Sequence, residues 1–211
     1  MTPRQPTGWR HRLRQGLWVG FHLQPPPGDG AEQVIRVNSG GAFPLGHPTT
    51  RLCLDLLGEA LASRPVRSLL DLGCGAGVLG LAAAALGTPR VVALDIAPQA
   101  VRAAWANAQG NGLDDSLRVV QGSTECVRGP FDLVAANLPF EVQMELAAEV
   151  ERLTAAAGRL ILSGFRDNQE QMLRELYRKG GRSLQRRLVW DFRHPELPAD
   201  LSFTWVAWLL G

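Results

Sequence analysis

The segment from Ser68 to Gly80 constrains the fold of this chain more than any other. It reads SLLDLGCGAGVLG: an apolar run, three glycines at alternate positions, and the start of an alanine-rich stretch. An apolar run of this length followed by a helical pattern is typical of a buried parallel strand and its crossover helix. Glycines between them let backbone approach a ligand closely, and the helix N-terminus that follows is a ready site for it. The segment therefore predicts an α/β fold that binds a nucleotide-like ligand at the carboxyl end of this strand.

Two interpretations compete for the glycine loop. Residues Gly75 to Gly80 match the G-x-G-x-x-G fingerprint of dinucleotide-binding enzymes, and Asp95 ends the next apolar run at the spacing of a ribose-binding acid. Against a dinucleotide, Asp71 lies just before the loop, where its carboxylate would repel a pyrophosphate but attract an ammonium or sulfonium group. S-adenosylmethionine carries both cations, and its ribose hydroxyls suit Asp95. We favour S-adenosylmethionine as the cofactor and keep an NAD-dependent oxidoreductase as an alternative. The glycines predicted to allow its close approach are Gly73, Gly75 and Gly77.

Length and composition restrict the class of protein. A chain of 211 residues fits a single domain. Its formal net charge of +2 is too small to indicate nucleic-acid binding by itself. The three cysteines, Cys53, Cys74 and Cys126, show no metal-ligand spacing, so we expect reduced thiols and no metal site. No run of about 18 apolar residues occurs, so we expect no membrane association and a cytoplasmic protein.

The N-terminal part of the chain is basic. Four arginines and no acid precede Asp29, a composition that suits an acidic partner or nucleic acid. Apolar side chains alternate from Leu17 to Leu23, which predicts instead a hairpin with one apolar face. We favour the hairpin and leave partner binding open.

A second motif is narrower than the glycine loop. Gly40 to Phe43 reads GGAF, and Gly46 to Leu54 reads GHPTTRLCL. Together they resemble the G-x-A-F-G-T-G-x-H-x-T-T-x-L-C-L signature of the PrmA family, methyltransferases of a ribosomal large-subunit stalk protein. The resemblance runs from about Val34 to the C-terminus and implies a class I S-adenosylmethionine-dependent fold. It also implies that Thr50 contacts the methionine end of the cofactor and that Phe43 lies over the site.

Two departures from the family pattern concern the substrate. The loop at Pro44 to Gly46 is one residue shorter than in the family. The 30 residues before Ala31 are too few for the separate N-terminal domain with which family members grip the ribosomal protein. We therefore expect a β-hairpin and strand extension with a cofactor-covering loop over residues 1–48, and a methyltransferase domain over 49–211. The chain can share the family's methyl-transfer reaction without sharing its substrate.

The threonine motif also predicts the start of a helix. Thr49 or Thr50 is expected to cap the apolar-periodic run that begins at Leu52. Hydroxyl groups and free backbone N–H groups there would face an anion such as a carboxylate. We interpret the neighbouring His47 as a turn residue rather than a base.

The end of a later predicted strand carries the second chemical signal. Asn137-Leu138-Pro139-Phe140 is similar to the N-x-P-[YF] motif of methyltransferases that act on planar nitrogens, such as adenine amines or glutamine amides. The Asn137 oxygen and the backbone carbonyl before Pro139 can each accept a hydrogen bond from an N–H group and so orient a substrate nitrogen toward a methyl carbon. Phe140 is predicted to cover that nitrogen and face the cationic centre. A plainer interpretation is that Asn-x-Pro only ends a strand, but the glycine loop and its two acids favour a function.

Two further residues belong to the predicted cofactor site. Ser123, in the loop after the strand Leu117 to Gln121, offers a side-chain oxygen for the adenine amino group, a role that neighbouring hydroxyl residues can also fill. Ile96 directly follows Asp95 and is assigned to the same site.

The C-terminal part of the chain predicts the topology. Leu184 to Phe192 and Ser202 to Leu210 are consecutive strands with no helix between them, so they must pair antiparallel. Together with the preceding strands they predict a Rossmann-like, doubly wound, seven-stranded sheet with an antiparallel C-terminal hairpin, an α/β fold of class I methyltransferases. The predicted reaction is N-methylation of a protein, with a ribosomal protein as one candidate. Methylation of RNA, DNA or a small molecule, NAD-dependent oxidation, and cofactor binding without catalysis stay as alternatives.

Overall fold

A seven-stranded, mostly parallel sheet forms the centre of the computed structural model, which describes residues 10–13, 16–20, 33–40, 45–192 and 203–211. The strands in chain order are β1 (Arg10–Arg12), β2 (Trp18–Gly20), β3 (Val34–Arg36), β4 (Ser68–Leu72), β5 (Arg90–Asp95), β6 (Leu117–Gln121), β7 (Phe131–Asn137), β8 (Thr154–Arg166), β9 (Leu184–Phe192) and β10 (Phe203–Leu210). The helices are α1 (Pro48–Ser63), α2 (Val78–Ala85), α3 (Pro98–Gly110), α4 (Phe140–Leu153) and α5 (Glu170–Lys179). The strand order of the central sheet is β6-β5-β4-β7-β8-β10-β9, with β10 antiparallel to both neighbours. This order confirms the predicted doubly wound sheet and its antiparallel hairpin.

Helices cover both faces of the central sheet. Alternate residues of a strand point to opposite faces, so Leu69 and Leu133 enter one apolar layer while Leu70 and Val134 enter the other. The first layer packs against α1, α2 and α3, and the second against α4 and α5. β4 is buried along its whole length for this reason, and its apolar sequence follows from that burial.

Strand β8 extends beyond the predicted limits of Gly158 to Gly164. It pairs with β7 from Thr154 onward and with β10 as far as Arg166, so neighbours on both sides hold its ends in the sheet. The register with β10 shifts near its carboxyl end: Phe165 lies opposite Val206, but Ser163 lies opposite Ala207. Gly164 is therefore an extra residue, a β-bulge that bends the strand beside the loop after β7.

A three-stranded sheet precedes α1. β1 pairs antiparallel with β2, and β3 pairs parallel with β2. Leu17 and Val19 are buried, so the described part of the predicted hairpin has the expected apolar face. Phe21 and Leu23 lie outside the described residues. The division of the chain into an extension and a catalytic domain at residue 48 stays a prediction.

Asn107 of α3 and Asn111, the C-cap residue of the same helix, hold β3 and the residues after it. Asn111 Oδ1 accepts the Arg36 N–H at 2.9 Å, and its Nδ2 donates to the Arg36 carbonyl at 2.7 Å. Asn107 repeats this pairing with the N–H and carbonyl of Asn38, both at 2.9 Å, and also donates to the Ala76 carbonyl. The two amides behave like a neighbouring strand and couple this segment to the glycine loop.

Within the described ranges, no helix has the length and apolar character needed to cross a membrane. The same residues contain no group of three or more His, Cys, Asp and Glu side chains arranged to hold a metal ion.

Candidate active site

The glycine loop begins where β4 ends, at the point where the sheet order reverses. β4 has β5 on one side and β7 on the other, which makes this end the topological switch point at which open α/β sheets bind ligands. The N–H groups of Gly73 and Cys74 donate to the Leu94 carbonyl at 2.8 and 3.1 Å and so tie the loop to the end of β5. Gly73 has a φ of 68°, and a Cβ there would overlap the Leu138 side chain. The sharp turn therefore requires glycine at this position.

Asp95 ends β5 with its carboxylate held by backbone N–H groups on both oxygens. Oδ2 accepts from Gly75 and Oδ1 accepts from Ala97, each at 2.9 Å. Each oxygen keeps further acceptor capacity, and the half-buried side chain lines a cavity. The carboxylate is thus held in place and can still accept hydrogen bonds from a ligand.

Asp71 is only 2% exposed and has fewer partners. Its Oδ2 accepts the Gly80 N–H at 2.9 Å. Burial raises the pKa of Asp71 to about 7; the Gly80 hydrogen bond opposes this shift, and the Asp95 carboxylate adds to it. None of these groups is a cation. A positively charged ligand group beside Asp71 would therefore stabilise its ionised form.

Two cavities meet at this edge of the sheet. The larger one has a volume of about 670 Å³ and is lined by residues at or just after the ends of β5, β6, β7 and β8 and by one residue of β10, among them Asp95, Ile96, Ser123, Asn137, Pro139, Gly164 and Trp205. The smaller one, of about 70 Å³, is lined by the glycine loop together with Leu45, Thr50, Asp71 and Asn137. Gly73, Gly75 and Asn137 line both cavities. A ligand that fills both would pass directly over the glycine loop.

Asn137 is the polar side chain at the junction. It ends β7 and is half-buried, and its amide forms no hydrogen bond with any of the residues that the structure describes. A carboxamide offers two N–H donors and one carbonyl acceptor. The Asn137 amide is therefore available to a ligand at the boundary of the two cavities.

The turn after Asn137 is packed against Gly164. The Leu138 N–H donates to the Ser163 carbonyl at 3.0 Å, and a Cβ on Gly164 would overlap the Leu138 carbonyl group. Gly164 has a φ of 100°, in the region that favours glycine. The bulge in β8 thus makes room for the turn that presents Asn137 and Pro139.

The start of α1 differs from the prediction. His47, not Thr49 or Thr50, is the N-cap residue: its Nδ1 accepts the Thr49 N–H at 3.3 Å, and its carbonyl accepts the Thr50 N–H at 3.1 Å. The predicted free N–H groups are therefore occupied, because the imidazole takes the role expected of a hydroxyl and Pro48 has no N–H. Burial lowers the pKa of His47. Thr50 still lines the smaller cavity.

Most of the predicted site residues lie at these two cavities, and two described residues do not. Gly77 is the N-cap of α2, with a φ of 81°, behind the loop rather than on a cavity wall. Phe140 begins α4 and packs against the apolar layer under that helix, away from both cavities. Phe43 lies outside the described residues. The ligand contacts predicted for all of them stay predictions.

Sequence reasoning missed two residues around the turn, Gly164 and Gln143. Gly164 and Trp205 line the larger cavity, and the Trp205 ring packs edge-on against His47 with ring centroids 5.0 Å apart. Gln143, one turn into α4, is buried beneath the turn. A glycine at the end of a predicted strand, as at Gly73, was a usable signal for Gly164. Nothing local distinguishes Gln143 from a surface residue of an amphipathic helix.

Comparison with known proteins identifies the family. The family described as ribosomal protein L11 methyltransferase (PrmA) matches residues 11–189. The ribosomal protein L11 methyltransferase of Pelobacter propionicus is 41% identical over 167 residues, which cover 77% of this chain and 54% of that protein. The one from Parasynechococcus marenigrum is 44% identical over 162 residues, which cover 73% and 55%. The chain thus spans about half the length of the curated relatives it matches.

A solved structure agrees with this assignment. The crystal structure of a ribosomal protein L11 methylase from Lactobacillus delbrueckii subsp. bulgaricus is similar at a TM-score of 0.75 and 25% identity, over 96% of this chain and 97% of that one. The sequence match and the shared fold lead to one conclusion. The chain belongs to the ribosomal protein L11 methyltransferase (PrmA) family.

Proposed function

We propose that this protein is an S-adenosylmethionine-dependent N-methyltransferase that acts on a ribosomal protein. One observation carries the proposal: the carboxyl edge of the sheet brings Asp71 and Asp95 together with Asn137, whose amide has no partner among the described residues. Two carboxylates suit a ligand with cationic and hydroxyl groups. The amide suits an acceptor nitrogen that must be oriented toward the methyl group. Membership of a methyltransferase family supports the same reaction.

The chemistry of the donor set fits S-adenosylmethionine better than a dinucleotide. A pyrophosphate beside Asp71 would face a buried carboxylate with no cation to offset it, whereas an ammonium or sulfonium group would stabilise that carboxylate. The volume of about 670 Å³ is within the usual range for a cofactor site, about 300–1,000 Å³. When bound, the cofactor supplies a methyl group on positively charged sulfur.

The cofactor-binding roles follow the positions of the residues on the cavity walls. Asp95 accepts hydrogen bonds from the ribose hydroxyls, Asp71 faces the amino acid end, and the Thr50 hydroxyl contacts the methionine carboxylate. Ile96, which is 73% exposed, and Ser123 would hold the adenine. The residues proposed to allow close approach or to cover the cofactor are Gly73, Gly75, Gly77 and Phe43.

Asn137 is the proposed catalytic residue. Its side-chain oxygen accepts a hydrogen bond from an N–H group of the acceptor nitrogen. This bond orients the nitrogen so that its lone pair points at the methyl carbon. In-line transfer depends on this orientation more than on a strong base. Pro139 shapes the turn at the wall of the larger cavity, and a cover from Phe140 stays part of the prediction.

Ribosomal protein L11 is the proposed acceptor because the relatives are named for it. The second candidate is an adenine amine of RNA or DNA, which the segment Asn137 to Phe140 favours through its N-x-P-F pattern. Both acceptors present a nitrogen that bears protons, so Asn137 has the same role in each.

The deciding experiment is methyl transfer to defined acceptors. The protein is incubated with methyl-labelled S-adenosylmethionine and, in separate reactions, ribosomal protein L11 of Pelobacter propionicus, total RNA and DNA. We expect label in L11, its loss in Asn137→Ala with cofactor affinity retained, and normal transfer by the control Asn168→Ala, whose side chain is exposed outside both cavities. Label only in nucleic acid would reject the protein acceptor. Cofactor binding without transfer to any acceptor would reject catalysis.

Cofactor identity has its own test. S-adenosylhomocysteine should raise the melting temperature of the protein, because it occupies the folded state alone, while NAD at the same concentration should not. The reverse result would reject the cofactor assignment and favour an oxidoreductase.

A further inference from the structure

Gln143 lies under the turn that presents Asn137. Its side chain is 1% exposed, and its Nε2 donates to two carbonyl oxygens, those of Leu138 and Ser163, each at 2.8 Å. Its backbone N–H donates to the Pro139 carbonyl at 3.0 Å. One residue of α4 thus bonds to both residues that follow Asn137 and to the neighbouring strand β8.

The amide is not fully satisfied at this position. Gln143 Oε1 is buried and has no hydrogen-bond partner. Burying an unpaired amide oxygen opposes folding, whereas an apolar side chain of similar size would pack without that cost. Packing alone therefore does not account for a glutamine here, and the two bonds to carbonyl oxygens are the contribution that an apolar residue cannot make.

The two hydrogen bonds of the Gln143 amide hold the turn that carries Asn137. The Asn137 side chain has no partner among the described residues, so its direction follows the backbone of the turn. That backbone is held by the Leu138 N–H bond to Ser163, by contact with Gly164, and by Gln143. Removing the Gln143 amide deprives the Leu138 carbonyl of this hydrogen bond and loosens the turn from β8.

We propose that Gln143 is a positioning residue for methyl transfer, which holds the Leu138 carbonyl against β8 and thereby orients the Asn137 amide toward the acceptor nitrogen. This inference rests on the proposed function of Asn137. It predicts an effect on turnover and not on cofactor affinity, because Gln143 lines neither cavity.

The first variant is Gln143→Met, which keeps the length of the side chain and removes both N–H donors. We expect kcat for methyl transfer to L11 to fall about ten-fold or more, since small misplacements of reacting groups have large effects on rate. The dissociation constant of S-adenosylhomocysteine should stay within about two-fold of wild type. An unchanged kcat, or equal losses in kcat and cofactor affinity, would overturn the proposal.

Arg159→Met is the matched control for a loss of stability. Arg159 is also buried and also donates to a backbone carbonyl, that of Ala60, but it does so at the far end of α1, away from both cavities. This variant should lower the melting temperature and leave kcat unchanged at a temperature where it is folded. A parallel loss of kcat in the control would show that Gln143 acts through stability alone.

A second variant, Gln143→Glu, tests hydrogen-bond donation directly. An ionised carboxylate cannot donate to the two carbonyl oxygens, but a protonated carboxyl group can donate to one of them. The ratio of variant to wild-type kcat should therefore rise as the pH falls. Asp71, Asp95, His47 and Cys53, which lies beside Ser163, are common to both proteins and cancel in the ratio. A ratio that does not change with pH would contradict the proposal.

Nuclear magnetic resonance of the side-chain amides supplies a readout that needs no activity. The Asn137 Nδ2 resonances should shift or broaden in Gln143→Met and stay as in wild type in Arg159→Met. If wild-type protein labels no acceptor, the proposed function fails, and these resonances still decide whether Gln143 orients Asn137. Unchanged Asn137 resonances in Gln143→Met would overturn the inference.

Discussion

The two cavities at the edge of the sheet treat their carboxylates differently. At the larger cavity, Asp95 is half-buried and receives a backbone hydrogen bond on each oxygen. At the smaller cavity, Asp71 is almost fully buried, receives a backbone hydrogen bond on Oδ2 from Gly80, and has a pKa raised to about 7. The first arrangement holds an acceptor in a defined direction. The second leaves the negative charge of the Asp71 carboxylate only partly compensated. A cationic group of a ligand would compensate the rest.

Within one ligand site, Asp95 therefore acts through the position of its oxygens and Asp71 through its charge. The Asp95 region should be sensitive to loss of the side chain. The Asp71 region should be sensitive to the charge itself. The turn after Asn137, which borders both cavities, should affect methyl transfer more than either carboxylate does.

The largest effect is expected from Gly164→Ala. The added Cβ overlaps the Leu138 carbonyl group and must displace the turn, and φ at this position is 100°. We expect methyl transfer to fall more than about 100-fold, with a much smaller change in cofactor affinity, measured by steady-state kinetics and calorimetry. Gly87→Ala is the control, because its φ is 92° and nothing lies within 4 Å of the added atom. A similar loss in both variants would assign the effect to backbone strain alone.

The next effect is expected from Asp71→Asn, which removes the charge and keeps the shape. Loss of a charged, buried contact costs about 1.5–3 kcal/mol, so affinity for S-adenosylmethionine should fall roughly 10- to 100-fold by calorimetry. The ligand-free variant should nevertheless melt at a higher temperature than wild type at pH 8, because it no longer buries an ionised carboxylate.

The stability difference should disappear at low pH. The pKa of Asp71 is about 7 in the folded protein and close to the ordinary value for an aspartate, 3.8, when unfolded. Folding therefore favours the protonated form, and wild type loses stability relative to Asp71→Asn as the pH rises from about 4 to about 7. Melting temperatures that differ equally at pH 4 and pH 8 would contradict the assignment.

Asp95→Ala should weaken cofactor binding about ten-fold or more, since a hydrogen-bonded carboxylate contributes about 1.5–3 kcal/mol. It should also release the N–H groups of Gly75 and Ala97. Calorimetry with S-adenosylhomocysteine measures the loss, and unchanged affinity would remove Asp95 from the cofactor site.

The smallest effect is the pH dependence of cofactor affinity in wild type. Between about pH 7.5 and about pH 6, protonation of Asp71 should weaken binding several-fold, because the cationic group needs the ionised carboxylate. Asp71→Asn should show a flatter profile over the same range. Equal slopes in the two proteins would place the titrating group elsewhere, with His47 at the larger cavity as the first candidate.

Local pattern was enough to predict the central architecture. β6 and β9 were predicted at their observed limits, and the antiparallel hairpin followed from the missing crossover helix. Asp71, the glycines and Asp95 lie on strand ends and turns that adjacent residues specify. The same reasoning misplaced the N-cap of α1, because the His47 ring accepts the capping hydrogen bond that a hydroxyl group usually accepts.

The sequence alone therefore established the sheet, the glycine loop, the two acids and Asn137, because each depends on contacts between residues close in the chain or on the ends of predicted strands. Only the folded chain revealed the bulge at Gly164 and the bonds of Gln143. These depend on the register between β8 and β10 and on how α4 packs over the end of β7. Such contacts join residues 20 to 43 positions apart, such as Gln143 with Ser163 and Ser163 with Val206, and no local pattern encodes them.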